Sequence, residues 1–280
     1  MKKFFVVSSQ RSGTTWFCEK IAGMFDRNIV WWEEISDKSF IERKNLQHHY
    51  VDKPIIDPDK YTDILMRLEA FEIFKANKIV RKTEKFYNEL YTSLNEDEFI
   101  NVMYDQCSIN SILNYPVIHL IRRDSVAQAQ SNFIAQKTNI YHSTDDLYKE
   151  KLEYLEKNIR LNYNEIFFEA ARVNLYKSIY FNTLSKYHKN CLTVFYEDCL
   201  NEDYWKNTLN KKLEKFMQDS IKNAEFVTKH KKTRKMFNII NSCGNDWFKK
   251  SYHRSIEICV KNGLPANADS LTKLMYFCEK

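Results

Sequence analysis

The chain has 280 residues, a formal net charge of +6 and 44% hydrophobic residues, too apolar for a disordered chain and long enough for a sizeable core. Its 43 basic and 37 acidic residues are spread along the sequence, which suits a polyanionic small molecule and argues little for nucleic acid as a partner. No apolar run approaches the roughly 18 residues of a membrane span, and the two lysines before the first apolar stretch do not read as a secretory signal.

The first predicted element is a strand over Phe4-Phe5-Val6-Val7, which passes through the polar turn Ser8-Ser9-Gln10-Arg11-Ser12-Gly13 into a helical pattern. Phe17, Ile21, Met24 and Phe25 fall at i, i+4, i+7 and i+8, one face of a 3.6-residue period. A strand running directly into a helix N-terminus makes an anion seat, because backbone N–H groups and the positive end of the helix dipole converge there. Gly13 lets backbone approach an anion closely, Ser12, Thr14 and Thr15 add hydroxyls, and Arg11 adds a fixed charge. The turn is not G-x-x-x-x-G-K-[ST], which disfavours an ordinary magnesium–ATP loop. The alternative is a polar turn that only caps its helix.

Further along, residues 60–76 read as a helix and Lys78–Lys82 as a strand. Tyr115–Ile121 reads as a buried strand ending in Arg122-Arg123-Asp124, with Asp124 as N-cap of a helix carrying Val126, Ala129, Gln130, Phe133, Ile134 and Lys137 at helical spacing. Arg123 and Ser131 lie eight positions apart, within reach of one phosphate; otherwise Arg123 pairs with a surface carboxylate and Ser131 faces solvent. From Asp145 to His188 no Gly or Pro interrupts one long or two consecutive helices, and Cys191–Tyr196 reads as a fourth strand. Strands separated by helical stretches predict an α/β fold, a P-loop-like parallel sheet flanked by helices, with a helical C-terminal half and a single domain over 1–280. The run Lys229-His230-Lys231-Lys232-Thr233-Arg234-Lys235 is a solvated loop or a source of added phosphate contacts. Seven scattered cysteines without a C-x-x-C pair argue for reduced thiols in a cytoplasmic protein, and the seven histidines lack zinc spacing, so no metal is expected.

Two segments carry a resemblance. Ser9-Gln10-Arg11-Ser12-Gly13-Thr14-Thr15-Trp16 is similar to the 5′-phosphosulfate loop of sulfotransferases that use PAPS (3′-phosphoadenosine-5′-phosphosulfate). His119-Leu120-Ile121-Arg122-Arg123-Asp124 through Ser131 resembles their 3′-phosphate element. The Gln10-Arg11 wording and Ala127-Gln128-Ala129 after Arg123-Asp124 look like bacterial carbohydrate sulfotransferases, of the trehalose 2-sulfotransferase-like and nodulation-factor sulfotransferase-like kinds. Val194-Phe195-Tyr196-Glu197-Asp198 is a weaker match to a later core strand, and Trp247-Phe248-Lys249 after Gly244 a faint one to a C-terminal element.

The resemblance implies sulfuryl transfer from PAPS, without a metal, to a carbohydrate or glycolipid hydroxyl. It assigns Arg11 to the bridging oxygen, the amides of Gly13, Thr14 and Thr15 to the 5′-phosphate, Arg123 and Ser131 to the 3′-phosphate, and Tyr196 to the adenine. For the general base it points to the region of Trp31-Trp32-Glu33-Glu34, with Glu33 first and Glu34 next, and the tryptophans as a sugar-stacking platform or as part of an amphipathic turn. Arg81-Lys82-Thr83-Glu84 is a rival: it is similar to the K-T-H element of cytosolic sulfotransferases, with Lys82 assisting transfer and Glu84 as fallback base. Two other functions stay open, a P-loop kinase or phosphotransferase and a non-catalytic PAP-binding relative, PAP being the nucleotide left after transfer. The oligomeric state is not legible.

Overall fold

The computed structural model describes residues 2–46, 50, 51, 81, 82, 84–104, 106, 107, 109–138, 161–222, 239, 240, 253 and 257. In chain order the strands are β1 (Phe5–Ser8), β2 (Asn28–Val30), β3 (Tyr50–Val51), β4 (Arg81–Lys82), β5 (Glu98–Met103), β6 (Val117–Ile121), β7 (Leu161–Asn162), β8 (Cys191–Phe195) and β9 (Ile239–Ile240). The main helices are α1 (Thr14–Phe25), α2 (Lys38–Arg43), α3 (Glu84–Ser93), α4 (Ser125–Thr138), α5 (Tyr163–Tyr187) and α6 (Asn210–Met217). The chain divides into two compact units, residues 1–122 with 179–228, and residues 123–178 with 229–280.

The first unit is built on a five-stranded sheet of order β2-β5-β1-β6-β8, in which every neighbouring pair is parallel. All four residues of β1 and all five of β6 are buried, as expected of parallel strands covered on both faces. The predicted face of α1 is the one that packs: Phe17, Ile21, Met24 and Phe25 are all buried in the core with Phe4, Val6, Phe99 and Leu120. Phe4 stacks on Phe99 at 4.7 Å and meets Phe216 of α6 edge-on at 5.9 Å, geometries that stabilise aromatic pairs beyond their buried area. Asp26 ends α1 in the left-handed region (φ 54°), its N–H bonded to the Ala22 carbonyl, and so returns the chain to β2.

The sheet differs from the predicted one in membership. Neither β2 nor β5 is among the predicted strands, yet β5 lies between β2 and β1. The predicted third strand is not in this sheet: its described residues, Arg81 and Lys82, pair antiparallel with Val51 and Tyr50 in a two-stranded ribbon. Two β-branched residues among lysines, Lys78-Ile79-Val80-Arg81-Lys82, give a strand signal but no information on which partner the strand finds. The predicted helix over 60–76, the basic run 229–235 and the segment 247–249 lie outside the described residues.

In the second unit Asp124 caps α4 as predicted, its Oδ1 accepting the Ala127 N–H at 2.9 Å. The stretch from Asp145 is not a single helix, since Leu161 and Asn162 form β7, which pairs parallel with β9, and α5 begins at Tyr163. Among the described residues no helix is long and apolar enough to cross a membrane.

His119 stands in the middle of β6, fully buried, with Nε2 and the Tyr104 hydroxyl 2.6 Å apart and no hydrogen-bond partner on Nδ1. Tyr104 in turn stacks on Tyr180 at 4.3 Å. Burial pushes the imidazole down to about 3, so the folded protein holds it neutral while the unfolded chain takes up a proton near pH 6.5. Stability carried by this group is therefore present above pH 6.5 and is lost as pH falls through that value toward 3. We predict that urea unfolding at pH 5 rather than pH 7 shows a loss of about 2 kcal/mol from this one group, and that His119→Gln removes that part of the pH dependence. An unchanged slope in the variant contradicts the assignment.

Candidate active site

The order of the core strands fixes where a ligand belongs. The chain leaves β1 through α1 toward β2 on one side, and returns from β5 past β1 to β6 on the other, so the order reverses at β1. In open parallel sheets, ligands sit outside the carboxyl ends of the strands at such a reversal. The turn Ser9–Gly13 occupies that position.

Two residues of the turn adopt left-handed backbone, Arg11 at φ 61° and Gly13 at φ 79°. Gly13 does so without steric cost; Arg11 does not, and is held by its surroundings. The Arg122 guanidinium, from the residue just past β6, donates to the Arg11 carbonyl at 3.1 Å. It also lies over the Tyr196 ring, 5.2 Å from the centroid. Tyr196 in turn packs against Gly13 so closely that a Cβ there would stand 2.3 Å from its Cε2. Loop, arginine and tyrosine form one braced assembly at the end of β1, β6 and β8.

Within the turn the hydroxyls have distinct tasks. Ser8 and Thr14 share a hydrogen bond of 2.6 Å, and Ser9 and Ser12 one of 3.0 Å. Ser12 and Thr14 are buried, so these hydroxyls shape the turn from inside, whereas Arg11, Gly13 and Thr15 are partly exposed. The first intrahelical bond runs from the Phe17 N–H to the Gly13 carbonyl at 3.0 Å, which leaves the amides of Gly13, Thr14 and Thr15 at the open end of α1. Trp16 turns toward the core, edge-on to Trp205 at 5.6 Å and to Tyr196 at 6.3 Å. Behind it the Lys20 ammonium lies 3.9 Å from the centre of the Trp205 ring, and burial lowers its pKa.

The remaining candidates are more dispersed. Tyr196 is only 8% exposed, so its ring serves the loop and offers little face to an adenine. Trp31 is half-buried against the core, Trp32 is half-buried, and Glu33 is exposed at the start of a short 3₁₀ turn. Glu34 accepts the Trp31 N–H at 3.2 Å and lines a cavity of about 530 Å³ with Ser93, Asn95 and Glu98. Those residues precede or open β5, whereas Met103, five residues on, is the one paired with Ser8 beside the loop. At about 3.3 Å per residue Glu98 lies roughly 16 Å along β5 from the loop end of the sheet. Lys82 is in the β3–β4 ribbon and Glu84 is exposed in the first turn of α3. In the second unit Arg123 precedes the Asp124 cap and Ser131 lies in α4, both partly exposed. Arg122 is the residue that sequence reasoning missed; its sole signal is the tandem Arg122-Arg123 at a strand end, which does not say which arginine turns to which element.

Among the described residues no three His, Cys, Asp or Glu side chains gather as metal ligands. No protein-family model matches the sequence, and no curated protein does. Among solved structures the chain is similar to a mouse sulfotransferase complexed with PAP, at 17% identity over 80% of this chain, with a TM-score of 0.36. It spans 61% of that protein's length. It is also similar to a sulfotransferase from Alicyclobacillus acidocaldarius, at 10% identity over 94% of this chain and 96% of that one, with a TM-score of 0.46. A third is retinol dehydratase in complex with androsterone and the inactive cofactor PAP, at 17% identity, 97% and 69% coverage and a TM-score of 0.28.

The contact between Gly13 and Tyr196 yields a direct test. Gly13→Ala meets both the ring and the unfavourable φ, at a cost of about 1–3 kcal/mol in the loop, and nucleotide affinity measured by calorimetry falls. Tyr196→Ala in the same chain removes the clash but not the backbone strain, so affinity recovers in part. Full affinity in Gly13→Ala alone contradicts this picture of the loop.

Proposed function

We propose that this chain transfers the sulfuryl group of PAPS to a hydroxyl of a carbohydrate or glycolipid. The observation that carries the reading is the braced loop at the reversal point of the sheet. It combines a glycine whose missing Cβ admits the Tyr196 ring, helix amides at the open end of α1, and an arginine two residues before that glycine in place of the lysine that follows it in an ATP-binding loop. These residues suit a phosphate-bearing donor, since an arginine and the first amides of α1 share one turn.

PAPS supplies an activated sulfuryl group whose departure leaves charge on the 5′-phosphate. Arg11 neutralises that charge as it develops, and the amides of Gly13, Thr14 and Thr15 hold the phosphate oxygens in place. A sulfuryl group carries less negative charge than a phosphoryl group, so a fixed guanidinium takes the part that magnesium plays elsewhere. Arg123 and Ser131 hold the 3′-phosphate and separate this nucleotide from most other adenine nucleotides.

Glu33 removes the proton of the acceptor hydroxyl. Glu34 is the next choice; its carboxylate accepts the Trp31 N–H and lines the cavity by the start of β5. Glu84 is the fallback base, with Lys82 assisting the transferred group, and Trp32 contributes an apolar surface for the acceptor together with Trp31. We place this activity in the cytoplasm, in keeping with seven scattered cysteines that form no C-x-x-C pair.

The test is transfer of labelled sulfate from PAPS to a panel of sugars and glycolipids. Glu33→Gln lowers turnover by about 10²–10⁴-fold while PAP affinity is retained, the range that belongs to loss of a general base. Glu34→Gln and Glu84→Gln have small effects in the same assay. Loss of transfer in Glu84→Gln alone overturns the choice of base, and transfer to no acceptor at all overturns the activity.

A further inference from the structure

Resting on the PAPS reading, one buried cluster in the second unit goes further than it. Lys177 of α5 is 1% exposed, and its ammonium donates to Ser125 Oγ, itself 1% exposed. The Ser125 hydroxyl passes its own hydrogen to Asn174 Oδ1, one turn back on α5. A lysine is almost never buried in this way unless its amine is fully engaged, because desolvating an ammonium costs far more than desolvating a hydroxyl. Here the engagement is with the first residue of α4, between the Asp124 cap and the helix it opens.

The same turn is fixed from other directions. Asp124 Oδ1 accepts the Ala127 N–H at 2.9 Å, and its carbonyl accepts the Gln128 N–H at 3.1 Å. Two turns on, Asn132 donates to Glu169 at 3.1 Å, and Glu169 is gripped by Arg172 at 2.6 and 2.7 Å. Thus α4 is tied to α5 at Ser125 and again at Asn132, two residues into and one residue past the interval from Arg123 to Ser131. The residues assigned to the 3′-phosphate are partly exposed at its ends, and the buried polar groups hold their spacing.

We propose that Lys177, through Ser125, is the positioning residue for the 3′-phosphate element. It touches no ligand. Its ammonium fixes the first turn of α4, and its charge adds to the positive end of the helix dipole, so that a dianionic phosphate is favoured there. The nucleotide's 3′-phosphate, rather than its adenine or its 5′ end, then depends on a lysine out of reach of solvent.

The experiment is calorimetry of the full chain with PAP and with AMP, which lacks the 3′-phosphate, for wild type, Lys177→Met, Ser125→Ala and Arg123→Ala. The expected result is that Lys177→Met and Ser125→Ala weaken PAP about tenfold, the loss of one buried charge-assisted hydrogen bond, and leave AMP within about twofold. Arg123→Ala, by direct contact, erases the preference for PAP. A merely structural role lowers both affinities together, or lowers the melting temperature with the ratio of affinities unchanged, and either result overturns the proposal. Ser125→Ala removes one oxygen and carries the test if Lys177→Met does not fold. A wild-type chain that binds AMP as tightly as PAP overturns the PAPS reading itself, a result distinct from a wild-type preference that the Lys177 and Ser125 variants keep.

Discussion

The structure of the site depends on one constraint: β1 is fully buried and paired along both edges, with β5 and β6, which fixes where the turn that follows it begins. Four hydrogen-bonded residues fix the start of the turn, and the buried face of α1 fixes its end. Between them the backbone passes through two left-handed residues, one of which, Arg11, gains nothing intrinsically from that conformation. Arg122 and Tyr196, delivered by the ends of β6 and β8, hold it there. Packing at the ends of β6 and β8 thus sets the backbone at Arg11, the residue proposed to act on the leaving phosphate.

This arrangement accounts for the internal hydroxyls as well. Of the hydroxyls read in the sequence as anion donors, Thr14 bonds to Ser8 and Ser12 to Ser9. Their contribution is preorganisation: amides and a guanidinium that need not rearrange when charge develops are worth more than donors that must. The second unit shows a similar division: Ser125, Asn174 and Lys177 are buried, while Arg123 and Ser131, proposed to hold the 3′-phosphate, are partly exposed.

Much of this was legible before any coordinates. The face of α1, the Asp124 cap, and the strands at β1, β6 and β8 follow from periodicity and capping chemistry, because each is decided by contacts within a few residues. β5 escaped because it follows Asn95-Glu96-Asp97 and opens on Glu98, a run that reads as a loop, and carries Asn101 at its centre; that amide is fully buried on the Val6 carbonyl at 3.4 Å. β2 has three residues, too few for any period. The ribbon position of Arg81 and Lys82 depends on the partner strand, which lies thirty residues earlier in sequence and has no local signature. For the site, residue types and spacing pointed to the turn after β1, which the sheet order places at its reversal point, and to Arg123, whose role is a proposal. They did not reveal that Arg122 braces the loop or that the Tyr196 ring is spent against Gly13, since both are tertiary contacts between strand ends. Nor did two adjacent glutamates disclose that they differ, a distinction made by the Trp31 N–H and the cavity beside Glu34.

The central claim is that the loop after β1 serves a nucleotide carrying a 3′-phosphate and does so without a metal. It is tested most directly by titration calorimetry of the full chain with PAP in the presence of a chelator, beside ATP with magnesium. The account predicts that PAP binds in the chelator and does so at least about tenfold more tightly than magnesium–ATP. Tighter binding of magnesium–ATP, or PAP binding that appears only when magnesium is added, would contradict it.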